Sequence, residues 1–155
     1  MKIELNGIDK VIASFNKVDK KFEKQVDTAI QGALLRAVSM ARNRLQPMPG
    51  DPDDIGTDMG AVRQSINFTY DPTTKTGGFF AGNVQGEHLA AYYAFGTGKH
   101  AKKFVSTLPE PFQKMAMGFY VNGKGVLQTH DYFVFTFLQE GERLKDKLKN
   151  LKVGW

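Results

Sequence analysis

Across residues 11–41, apolar or small side chains recur three or four positions apart, at Val11, Phe15, Val18, Phe22, Val26, Ala29, Ala33, Ala37 and Ala41. That spacing follows the 3.6-residue turn and places the whole row on one helical face. Asp9 is suited to cap the start, while Pro47, Pro49 and Gly50 halt the pattern. Residues 9–46 are therefore expected to form one helix, which at 1.5 Å per residue would reach roughly 55 Å if unbroken. A chain of 155 residues with such an element must build the rest of its fold around it.

The two halves of the row differ. From position 29 onward Ile30, Leu34 and Val38 widen the apolar stripe, which predicts packing on the domain's own sheet. Before it, the stripe of Val11, Phe15, Val18 and Phe22 is narrow and flanked by Lys10, Lys17, Lys20, Lys21 and Lys24. Two readings fit that half: a projecting oligomer contact, or a partly frayed surface helix.

Residues 2–5 alternate polar and apolar before the Asn6-Gly7 turn signal, which predicts a short opening strand. Residues 47–57 are turn-rich, 58–64 suit one short helical turn, and 65–70 read as extended. A turn at 71–74 returns the chain into a second strand over 78–84, giving a hairpin. Residues 99–128 read as an insertion, with Asn122-Gly123 as a hairpin turn inside it. Its Met115, Met117, Phe119 and Tyr120 are too apolar for a free loop. The aromatic run at 132–137 reads as a strand or extended entry. Phe137, Gly141, Leu144, Leu148 and Leu151 then share the face of a closing helix, whose charged pairs Glu140/Arg143, Glu142/Lys145 and Asp146/Lys149 suit an exposed surface.

Composition excludes several classes of protein. With no cysteine, there is no disulfide frame, thiolate metal site or cysteine nucleophile. The first ten residues include Glu4 and Asp9 and lack the apolar core of a secretory signal, so export by that route is not expected. The longest apolar stretches, 89–95 and 132–138, fall short of the roughly 18 residues a membrane span needs. The net charge of +5 raises nucleic acid as a partner. Its distribution argues otherwise: residues 1–46 hold nine basic and five acidic groups, 47–75 two and five, 76–127 five and two, and 128–155 five and four. Such spreading describes a mildly basic solvated surface, and a small basic nucleic-acid-binding module stays as the alternative.

No segment assembles the parts of a reacting centre. Asp51-Pro52-Asp53-Asp54-Ile55-Gly56 begins like a calcium loop, but Ile55 and Val62 stand at ligand positions, so a solvated acidic loop is expected. Gly96-Thr97-Gly98-Lys99 resembles the end of a phosphate loop, but Tyr93 replaces its first glycine and His100 its magnesium-holding hydroxyl. His88, His100 and His130 lie in separate segments beside only Glu87 and Asp131, which suggests surface or capping roles. The expectation is a non-enzyme with no catalytic residue, cofactor, metal or small-molecule substrate.

Two short motifs carry a family resemblance. Asp58-Met59-Gly60-Ala61-Val62-Arg63-Gln64-Ser65-Ile66 is similar to a pattern in the head-tail joining proteins of long-tailed bacteriophages, also described as neck or tail-completion proteins. Tyr92-Tyr93-Ala94-Phe95-Gly96-Thr97-Gly98 resembles that family's aromatic run ending in Gly-Thr-Gly, and Ile3-Glu4-Leu5-Asn6-Gly7-Ile8 resembles its start. Met59 stands where the family usually has threonine, and Ala94 where it commonly has glutamate. The residue types read as loop-shaping. Gly60 and Gly96 suit positive φ or close backbone approach, Ser65 and Thr97 suit turn amides, and Phe95 suits a core anchor.

The expected fold is a single α+β domain over 1–155, with a long amino-terminal helix and a carboxy-terminal helix on a mainly antiparallel sheet of three to five strands. The resemblance implies a structural virion protein that helps join head and tail, in several copies forming a ring. Its implied partners are other copies of itself and the connector, head-closure and tail proteins, and its implied place is the virion, assembled in the bacterial host cytoplasm. The family-motif residues Asp58, Gly60, Arg63, Ser65, Tyr93, Phe95, Gly96, Thr97 and Gly98 are candidate interface positions by that resemblance.

Overall fold

A computed structural model describes residues 2–4, 20–51, 55–82, 87–117 and 128–151. Helix α1 spans Lys20–Arg44, with Glu23 in its first turn and Arg42 and Arg44 in its last, the signs that suit the helix dipole. Its buried row runs from Phe22 and Val26 through Ile30 and Leu34 to Val38 and Ala41. After Arg44 one further bond, Leu45 N–H to the Ala41 carbonyl at 3.1 Å, closes the last turn before Pro47. Residues 9–19 of the expected helix lie outside the described residues, as do Val11, Phe15 and Val18.

Strand β1 is Lys2–Glu4, and β2 (Asn67–Asp71) and β3 (Thr76–Phe80) form the hairpin. Among the described residues these make one antiparallel sheet in the order β1-β3-β2, with Lys2 opposite Phe80 and Asn67 opposite the same residue from the other side. The hairpin turn is held by Asp71 Oδ1, which accepts from the Thr73 N–H at 2.8 Å. That Thr73 amide, and after it the Thr74 side chain, lower the Asp71 pKa. Lys75 closes the turn at φ 55 and reaches Asp27 of α1 at 2.7 Å, while the Tyr70 hydroxyl donates to the same carboxylate oxygen. Burial first, and then that carboxylate, raise the Tyr70 pKa. The sheet thus hangs on α1 by polar contacts as well as packing.

Helix α2 spans Ile55–Ser65, longer than the single turn expected, so Ser65 ends a helix and does not begin a strand. The second strand stops at Phe80, with 83–84 outside the described residues. The apolar run becomes helix α3, Glu87–Phe95, followed by α4, Gly98–Val105, and α5, Glu110–Met117. The described part of the expected insertion is therefore helical, and Ala101, Val105, Leu108 and Phe112 enter the main core. Asn122-Gly123 and Phe119-Tyr120 lie outside the described residues. Helix α6, Val134–Lys149, starts inside the run expected at 132–137 to be a strand or extended entry, so residues 134–137 are helical and not a strand. Tyr132, Phe133, Val134 and Thr136 there are buried, and that packing overrides their strand preference. The Phe133 ring sits 4.4 Å from that of Phe79, and the Tyr132 hydroxyl donates to the Ala90 carbonyl at 2.8 Å.

The architecture is mixed helix and sheet, with a long helix and the carboxy-terminal helix α6 lying against each other and α1 also covering β2 and β3. Gly77 permits that closeness, because a Cβ there would stand 2.6 Å from Leu34 Cδ1. Two cores result. The larger one joins the second half of α1 to α2–α5 and the start of α6; the smaller one joins Phe22, Val26, Ile30 and Leu34 to Leu144. No helix among the described residues is long and apolar enough to cross a membrane.

Candidate functional site

The first motif works inside the chain. Arg63, on α2, sends Nε and Nη2 to the Leu45 carbonyl at 3.0 and 2.6 Å, and Nη2 also to Gln46 Oε1 at 3.2 Å. A cation thereby meets carbonyl and amide oxygens just past the end of α1, where the helix dipole is negative. Ser65 Oγ donates to the Val62 carbonyl at 2.7 Å and accepts from the Gly82 N–H at 3.2 Å, fastening the end of α2 to the exit of β3. Gly60 departs from expectation. It lies within α2, is not among the positive-φ residues, and an added Cβ would meet nothing within 4 Å. Asp58 also lies on α2; its side chain is outside what the structure describes.

The second motif turns α3 into α4. Gly96 has φ 74 and donates its N–H to the Tyr92 carbonyl at 2.7 Å, ending α3 in the left-handed region that glycine adopts without strain. Phe95 is buried, as expected of an anchor. The Thr97 carbonyl accepts from His100 and Ala101 at the start of α4, whose first residue is Gly98. Tyr93 is buried too, and its carbonyl accepts from the His130 N–H at 2.8 Å.

His130 corrects the expectation of a surface histidine. Its Nε2 lies 2.8 Å from Asp51 Oδ2, with the two side chains 0% and 2% exposed. Asp51 in turn accepts from the Met48 N–H at 2.7 Å, so this member of the acidic loop is buried, not solvated. Tyr93 meets the imidazole edge-on at 5.8 Å between centroids. Just before it in the chain, Gln128 Nε2 donates to the Pro49 carbonyl at 2.7 Å and Thr129 Oγ1 to the Phe95 carbonyl at 3.0 Å. Residues 128–132 are thus a strap joining the loop after α1 to the turn after α3. Among the described residues no group of three or more His, Cys, Asp or Glu is placed to hold a metal ion. The side chain of His88 lies outside the described residues, and His100 is half-buried.

Exposed chemistry gathers elsewhere, along α6. A groove of about 580 Å³ between α1 and α6 is walled by Arg36, Arg44, Phe135 and Arg143. Glu140 forms its floor. It is 3% exposed, and it divides its two oxygens between Arg36 Nε at 3.0 Å and Arg143 Nη1 at 2.7 Å. The expectation of an exposed Glu140/Arg143 pair is corrected accordingly, and the third member, Arg36, comes from another helix. The Arg44 guanidinium lies 3.8 Å above the Phe135 ring centroid, a cation–π contact, and its Nε donates to the Asp131 carbonyl at 2.9 Å. Burial raises the Asp131 carboxyl pKa, against the Phe135 N–H and the Arg44 charge, which pull it down.

Sharing Phe135 and Gln139 with that groove is a second one of about 470 Å³, lined by Phe104, Leu108, Pro109 and Leu138. Phe135 and Leu138 are 38% and 42% exposed, large apolar side chains facing water side by side with arginines. Sequence reasoning missed this surface. One signal for it was present: Glu140 falls between Phe137 and Leu144 on the buried stripe, where a carboxylate needs cations.

Phe22, by contrast, leaves the expected oligomer row. It is 7% exposed and packs in the smaller core with Leu144, so its own chain already covers it. No family model, curated protein or solved structure matches the chain.

Proposed function

We propose that the chain is a structural assembly protein of a long-tailed bacteriophage, a neck or tail-completion component that helps join head to tail. In this reading several copies form a ring, contact connector, head-closure and tail proteins, and take their place in the virion after assembly in the host cytoplasm. The domain carries a sheet of three to five strands and acts by forming interfaces, without bond-making chemistry. The observation that carries the reading is the two-lobed surface on α6, where exposed Phe135 and Leu138 adjoin Arg36, Arg44 and Arg143. Apolar centres with arginine at hand are the composition of protein interfaces. The two motifs are in keeping with it, since Arg63, Ser65 and Gly96 act within the chain to fix its loops.

The test is deletion of the gene from the genome that encodes it, followed by electron microscopy of the lysate. Detached heads and tails, rejoined when the gene is supplied in trans, are the expected result. Intact particles in the deletion lysate would refute the assembly role. DNA binding by the purified chain that weakens steeply with salt, a slope of several units, would favour the nucleic-acid module instead.

A further inference from the structure

We propose that the α1–α6 groove and the apolar groove adjoining it together seat an acidic amphipathic helix from a partner protein, its carboxylate held between Arg36 and Arg143 and its apolar anchor set against Leu138 and Leu108. The inference rests on the interface-forming role proposed above and names the chemistry of one partner.

Charge decides the first half. Three guanidinium groups line the groove, against two carboxylates: Glu140 on its floor, buried with both oxygens engaged, and Asp131 in the adjoining lobe, which accepts from the Phe135 N–H beside the Arg44 charge. Each of those bonds takes one donor nitrogen from an arginine that keeps further N–H groups, and the Arg36 and Arg143 side chains remain 45% and 52% exposed. Glu140 therefore sets the two planar forks in position from below. A carboxylate arriving from above meets preoriented donors, and arginine forks match carboxylates in bidentate geometry.

The apolar lobe decides the second half. A phosphate backbone has no use for Phe104, Leu108, Pro109 and Leu138 beside its cations, and three arginines gathered in one groove do not trace a strand. A helix with acidic residues flanking an apolar stripe satisfies both lobes at once, the helix-in-groove mode of recognition. Phe135, common to both, becomes the ridge it crosses.

The experiment uses the full chain and a fluorescein-labelled, end-capped helical peptide with Leu and Phe at helical spacing and Glu on both flanks. Its companions are the same peptide with every Glu replaced by Gln, and a mixed-sequence single-stranded DNA of similar length. Fluorescence anisotropy should show binding of the Glu peptide, weakened at least roughly tenfold in the Gln peptide and in the chain carrying Arg36→Gln and Arg143→Gln. Because that double change strands Glu140, Leu138→Ser is the second variant: it leaves the triad whole and should weaken binding by a similar factor. Equal binding of the Gln peptide, no effect of either variant, or a preference for DNA over the Glu peptide would overturn the proposal. So would light scattering that shows a self-associated chain dissociating on Arg36→Gln and Arg143→Gln, since the occupant would then be a second copy. Detached heads and tails in the deletion lysate with no peptide binding would remove the groove and keep the assembly role. Intact particles with specific peptide binding would do the reverse.

Discussion

His130 Nε2 and Asp51 Oδ2 meet at 2.8 Å, 79 residues apart in the chain and both shut away from water. The imidazole is the side-chain partner of a carboxylate oxygen that also accepts from the Met48 N–H. His130→Ala should therefore cost about 2–4 kcal/mol of stability, the scale of stranding a buried charge-assisted hydrogen bond. Urea denaturation measures it. A loss below about 0.5 kcal/mol would mean the strap does not depend on the pair.

Phe22 tests which partner the amino-terminal part of α1 serves. Packed with Val26, Ile30 and Leu144, and flanked by Leu148 and Leu151, it should cost about 3 kcal/mol when truncated in Phe22→Ala. A variant that keeps monomer stability and loses only oligomer, read by denaturation and light scattering together, would return Phe22 to an interface.

At Gly77 the expectation is overpacking. Its missing Cβ leaves room for Leu34 Cδ1, which would stand 2.6 Å from an alanine methyl, so Gly77→Ala should destabilise by about 1–3 kcal/mol. The loss should shrink when Leu34→Ala is added, because the clash leaves with the leucine. Strictly additive losses in the four-member cycle would place the cause elsewhere.

Asp131→Asn isolates one pH dependence. An acid whose folded pKa is raised above its ordinary 3.8 is disfavoured as the anion by the fold. Its effect is absent below the ordinary value, grows as pH climbs from there through the raised value, and is a loss of stability above it. The asparagine variant keeps an acceptor for the Phe135 N–H and removes that decline. Urea midpoints taken from about pH 3 to about pH 7 should show the variant gaining on the parent as pH rises. Parallel curves would contradict it.

Periodicity made the long helix legible, because the Val26 to Ala41 row has one wet side and one dry side. The hairpin was legible through its turn chemistry at Asp71, and Gly96 through the positive φ that ends a helix. Helix α3 was not, since Ala90, Ala91, Tyr93, Ala94 and Phe95 are all buried and leave no polar face to set a period. The same holds at Tyr132, Phe133 and Val134, where burial mimics a strand. The exposed groove was illegible for another reason: Arg36 and Arg143 belong to different helices, and only the packing of α1 on α6 brings them to one carboxylate.

The order β1-β3-β2 also sets a sequence of events. The hairpin closes across a four-residue turn, whereas Lys2 must find Phe80, 78 residues further along the chain, a far larger search in configurational space. Among the described residues three paired positions hold β1, so its pairing repays that search with few ladder bonds. It also covers the ladder edge of β3, which would otherwise stand open to pairing with another strand.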